Sequence, residues 1–183
     1  MVRSKQKSGR QPLPTIWLLS DARNDAALAR GLKRLPRGSG FVFRHYHLDP
    51  TQRRARFQAL ARLARAQGHL VALAGSRTDA RAWGADLAYG PGGQLAPVHS
   101  LREIGRAKPA VALLLSPVFS TRSHPGARLL GPTRFRMLAA RTDKPVIALG
   151  GMNPHTARAL KWPRWAGIDA FCGEPNPLIP ADS

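Results

Sequence analysis

Short apolar runs alternate with longer amphipathic stretches along most of the chain. The runs Ile16–Ser20, Phe41–His47, Leu70–Ala74, Leu87–Tyr89, Ala96–His99, Val111–Phe119, Val146–Leu149 and Ile168–Cys172 have the length and content of strands. Helical patterns lie between most of them. Leu28, Leu32 and Leu35 recur at i, i+4, i+7 before Pro36 stops the helix, and Phe57, Leu60, Ala61 and Ala64 form one face of a longer one. Ser100-Leu-Arg-Glu103 predicts a capping box, and Asn153-Pro154 predicts an N-cap followed by proline at the first helical position. Strands alternating with helices in this way predict a compact (β/α)8 TIM-type barrel. An open doubly wound sheet is the runner-up, but no GxGxxG or Walker loop supports a nucleotide-binding version. The barrel is expected to be lean. The connection Gly90–Gln94 is short and glycine-rich, and GEPNPLIPADS after Cys172 offers no full last helix.

The 183 residues and 43% hydrophobic content fit one domain over residues 15–183, preceded by a basic tail, 1–14, expected to be disordered. No apolar run is long enough to cross a membrane, and none precedes Ile16, so a cytoplasmic protein without a secretory signal is expected. Cys172 is the single cysteine, which excludes an intrachain disulfide and a cysteine-rich metal cluster. The net charge of +19 invites a nucleic-acid partner. Its distribution argues otherwise: Arg53, Arg54, Arg56, Arg62 and Arg65 read as the solvated side of an amphipathic helix, without interleaved aromatics for base stacking.

Candidate chemistry concentrates late in the chain. An apolar run ends in a loop bearing Ser120, Thr121, Arg122, Ser123 and His124, and the run Pro145–Leu149 ends in Gly150-Gly151. In a parallel sheet both loops open on one side, where hydroxyls, a cation and backbone N–H groups can hold a phosphate. Each feature also has a plainer role. The glycines suit a tight turn, His99 a polar strand end, Asp21 a helix cap, and Cys172 a small buried side chain. Arg44, at the end of an apolar strand, is either a phosphate contact or a surface arginine. His45 and His47 would share one face of the second strand and could bring His47 to His99. No carboxylate stands at zinc-ligand spacing from these histidines, so no metal site is expected.

The segments IWLLSD (16–21), VHSLREIGRA (98–107), LSPVFSTRSHPGARLLG (115–131) and PVIALGGM (145–152) resemble the thiamine phosphate synthase/TenI superfamily of compact barrels. The resemblance runs from about Ile16 to Gly173 and is strongest from Val98 to Met152. It implies that Gly150, Gly151, Cys172 and Gly173 bind the phosphate of a thiazole phosphate, aided by Thr121, Arg122, Ser123 and His124, with Arg44 as a surviving anion contact. It also implies that a synthase would hold magnesium on two aspartates at positions that are here Gly75 and Gln94, the first preceded by an asparagine where Ala74 stands. The TenI branch needs no metal and tautomerises a thiazole phosphate precursor with a histidine in a V-H-S motif. Val98-His99-Ser100 is similar to that motif, which makes His99 the expected acid/base group. Two alternatives stay open: a divergent synthase joining thiazole phosphate to a pyrimidine diphosphate with magnesium, and a non-catalytic barrel binding a phosphorylated ligand. No cofactor is expected outside the synthase case, and oligomeric state is left open.

Overall fold

The computed structural model describes residues 12–121 and 128–173. Eight parallel strands close into a barrel in chain order: β1 Ile16–Leu19, β2 Gly40–Phe43, β3 Leu70–Ala74, β4 Leu87–Tyr89, β5 Leu95–Val98, β6 Ala112–Leu115, β7 Val146–Leu149 and β8 Trp165–Gly167. Closure is made by β1 on β8, with Ile16 opposite Trp165 and Leu18 opposite Gly167. Alternate residues of every strand meet in one buried cluster that fills the barrel, including Trp17, Val42, Ala72, Tyr89, Leu114 and Ile147. Trp17 blocks the amino-terminal end. Its indole N–H donates to Pro14 O at 2.9 Å, and a Cβ on Gly40 would sit 2.1 Å from its ring, so β2 must begin with glycine.

Outside the barrel lie a 3₁₀ turn (Ala22–Ala27) running into α1 (Leu28–Arg34), then α2 (Pro50–Ala66), α3 (Arg77–Trp83), α4 (Leu101–Arg106), α5 (Gly131–Ala139) and α6 (Pro154–Leu160). The longest, α2, is capped by Asp49 and buries the expected face of Phe57, Leu60, Ala61 and Ala64.

In keeping with the short, glycine-rich connection, no helix joins β4 to β5: residues 90–94 form a turn in which Gln94 Oε1 accepts from Ala88 N at 2.9 Å. Two expectations need correction. The last strand is Trp165–Gly167, not 168–172, because Phe171 stacks back on Trp165 with ring centroids 5.7 Å apart. The Ser100 cap is only half of a box. Ser100 Oγ accepts from Glu103 N, but the Glu103 carboxylate accepts from His99 N at 2.6 Å.

Candidate functional site

The carboxyl ends of the strands open onto two joined cavities of about 400 and about 380 Å3. They share Thr121, Leu149, Gly150 and Ile168. The first is centred on the barrel mouth, with Arg44, Tyr89, His99 and Ser116 among apolar walls of Pro97, Pro117 and Leu149. The second lies beyond β7 and β8 and is lined by Ser120, Gly151, Asn153 and Asp169.

His99 follows directly on β5. Its Nδ1 stands 2.9 Å from Ser116 O and 3.2 Å from Ser116 Oγ. A carbonyl only accepts, so Nδ1 carries the hydrogen and the neutral ring keeps its lone pair on Nε2. No described residue bonds Nε2. The bond from its backbone N–H to Glu103 fixes the main chain as the ring bond fixes the imidazole.

Arg44 is held rigidly at the same mouth. Its Nε donates to Ser20 O at 2.7 Å and its Nη2 to Asp21 Oδ2 at 2.8 Å. Asp21 also caps the 3₁₀ turn, as expected of it, and lines neither cavity. The Arg44 backbone N–H donates to Ser20 Oγ at 2.7 Å, and that hydroxyl donates to His45 Nδ1 at 2.8 Å. His45 Nε2 then donates to Asp25 Oδ1 at 2.7 Å, while Arg56 pairs with the same carboxylate at 2.8 Å. Ser20 and His45 are buried completely or nearly so, which makes this serine–histidine–aspartate chain a brace without access for a substrate. Burial lowers the His45 pKa against the opposing pull of Asp25 and keeps its ring neutral. His45 sits past the end of β2 with φ of 40°, and His47 is exposed beside it, lining neither cavity. The pairing of His47 with His99 is therefore not formed. Arg53 also departs from the solvated role expected of it. Its guanidinium lies 5.3 Å over Trp83 and donates to Arg44 O at 2.9 Å and Ala74 O at 2.6 Å.

Gly150 and Gly151 have φ of 94° and 64°. A Cβ on Gly151 would lie 2.5 Å from Ser120 O, and one on Gly150 would lie 2.7 Å from Pro117 Cα. Both positions demand glycine, because the loop after β7 lies directly on the loop after β6. Thr121 reaches both cavities, whereas Arg122, Ser123 and His124 lie outside the described residues. Among the described residues lining the second cavity there is no cation, and Asp169 supplies a carboxylate.

Cys172 and Gly173 are not at this cavity. Their carbonyls accept from Arg30 and Arg34 of α1, and a Cβ on Gly31 would lie 2.9 Å from the Cys172 sulfur. Because β8 ends early, Ile168, Asp169 and Ala170 take the place expected of them. Burial raises the Cys172 thiol pKa, so the sulfur stays protonated.

Tyr89 and Asp169 are the site residues that sequence reasoning missed. The signal for Tyr89 was present, since alternation from Leu87 turns it inward at the open end of β4. Asp169 was hidden by the misplaced last strand.

The magnesium of a synthase does not fit the residues present. Ala74, Gly75 and Gln94 bring no carboxylate, the Gln94 oxygen is taken by Ala88 N–H, and the Arg53 guanidinium binds the Ala74 carbonyl. Asp79, the carboxylate nearest Gly75, is bonded to Ser76 Oγ at 2.6 Å. Among the described residues no group of three or more His, Cys, Asp and Glu could hold a metal ion.

The family described as thiamine monophosphate synthase matches residues 96–172, from β5 through β8. The solved thiamine phosphate pyrophosphorylase from Pyrococcus furiosus superposes with a TM-score of 0.74 at 22% identity, covering 88% of this chain and 89% of its own. Likeness at that identity establishes the fold. No curated protein sequence matches the chain significantly. The second half of the barrel thus carries the pattern of that family on a shared architecture.

Proposed function

We propose that this chain is a TenI-like member of the thiamine phosphate synthase family, acting in thiamine biosynthesis. It binds a thiazole phosphate and moves a proton within it. The observation that carries this reading is His99, whose tautomer is set by Ser116 O so that an unbonded Nε2 is presented at a cavity continuous with the Gly150–Gly151 pocket. A neutral imidazole can take a proton from one ring carbon and return it to another near neutral pH. The phosphate would lie in the second cavity against Thr121, Gly150 and Gly151, with Arg122, Ser123 and His124 supplied by the same loop. Arg44 places a fixed positive charge at the mouth. The family match over residues 96–172 supports the reading, because it spans the segment from β5 to the second cavity. The unsuitable magnesium positions weigh against coupling to a pyrimidine diphosphate.

Two turnover assays test it. One offers the unaromatised thiazole phosphate tautomer alone, and the other offers thiazole phosphate with pyrimidine diphosphate and magnesium. Aromatised product in the first is the expected outcome. Thiamine phosphate in the second would overturn the branch assignment. Silence in both, with thermal stabilisation by ligand, would leave a binding barrel without the reaction.

A further inference from the structure

His99 is not the only unbonded polar group facing the first cavity. Tyr89, the last residue of β4, is 8% exposed, and what it exposes lines that cavity. No described residue hydrogen-bonds its hydroxyl. The hydroxyl is open to that cavity rather than sealed in the core, so the partner that a tyrosine O–H favours can come from a ligand. A partner supplied by a ligand explains why such a residue ends a strand at the barrel mouth.

The two unbonded groups are complementary. The imidazole Nε2 is an acceptor and the phenol O–H a donor, and both line the cavity walled by Pro97, Pro117, Leu149 and Ile168. Arg44 lines it too, close enough to act on Tyr89 electrostatically. We propose that Tyr89 is a catalytic residue that donates a hydrogen bond to the negative charge developing on the ligand while His99 carries the proton. In this step the C–H electron pair left behind delocalises onto the ligand, and the proton moves to His99 Nε2. It then returns from the same nitrogen to a second carbon. Tyr89 keeps its own proton throughout and only stabilises the intermediate anion. Burial raises the phenol's pKa, which maintains it as a donor over the working range.

This inference rests on the proton-transfer reading, and its test separates the two. Tyr89→Phe removes only the hydroxyl. With the unaromatised thiazole phosphate as substrate, kcat should fall by on the order of 10²-fold with KM little changed, while the shape of the pH profile stays the same. Unchanged kcat, or a higher KM alone, would overturn the proposal and leave the function standing. A second readout needs no turnover. The chain has two tyrosines, and Tyr46 is 69% exposed, away from both cavities. Thiazole phosphate should therefore perturb the tyrosine absorption of the wild type but not of Tyr89→Phe. If the wild type catalyses no exchange, the functional reading fails and the catalytic role falls with it. A perturbation lost in the variant would then still support Tyr89 as a ligand contact, and an unperturbed spectrum would remove that too.

Discussion

At the residue scale the proposed chemistry depends on one nitrogen. His99 owes its free Nε2 to the Ser116 carbonyl, and its backbone position to Glu103. His99→Ala should lower proton exchange into the thiazole phosphate by on the order of 10²–10⁴-fold, the usual contribution of a positioned acid/base group. Ligand-induced thermal stabilisation should survive, because the pocket proposed for the phosphate is built from the loops after β6, β7 and β8. Exchange followed by NMR in deuterated water, with a melting curve on the same samples, checks both. Loss of both together, or of neither, would sink the assignment. His99 was legible because a short motif and a strand end coincide. The His45 brace was not. Its partners Ser20, Asp25 and Arg56 come from separate elements, and its positive φ reflects local contacts that no periodicity reports.

At the scale of elements, the apolar runs locate the first seven strands because each must be buried on both faces, which gives a nearly continuous hydrophobic signature. The exception is instructive. Trp165–Gly167 is short and contains little to mark it, while the stretch after it looks apolar because Phe171 and Cys172 cover the outer surface that a last helix would otherwise cover. The gap between β4 and β5 is closed differently. Arg77, the first residue of α3, donates from Nε to Gly92 O at 3.0 Å and from Nη2 to Pro109 O at 2.9 Å. One guanidinium thereby ties the β4–β5 turn to the approach of β6, in place of a helix. Both bonds are solvent-exposed, so Arg77→Ala should cost only about 1–2 kcal/mol in denaturant unfolding. The loss should exceed that of Arg81→Ala, which makes no such link on the same helix. Equal losses for the two would show that the bridge contributes nothing.

At the scale of the whole molecule, the strong positive charge meets two histidines that must stay neutral to remain buried. Burial lowers the pKa of His45 and of His69 below the ordinary 6.5, and His69 donates from Nε2 to Leu32 O at 2.9 Å with its Nδ1 unpartnered. As pH falls through 6.5 the unfolded chain takes up protons that the folded one refuses, so stability must fall with it. Above 6.5 these groups contribute their full effect. A second decline starts nearer 3.8. Desolvation opposes the Asp25 and Asp21 carboxylates, but hydrogen bonds and charge from His45, Arg56, Arg23 and Arg44 outweigh it and hold both below that value. Their stabilisation is present above the unfolded pKa and is lost as pH drops through the folded one. Each added proton also raises a net charge already at +19, which favours the expanded chain. The urea midpoint should therefore be level at mildly alkaline pH and drop between about pH 7 and pH 5, before most carboxylates titrate. Replacing both histidines by glutamine, whose amide can still donate to Asp25 and Leu32 O, should lower the midpoint at alkaline pH but flatten that first decline. An undiminished decline in the double variant would place the acid sensitivity in the overall charge rather than in the two buried rings.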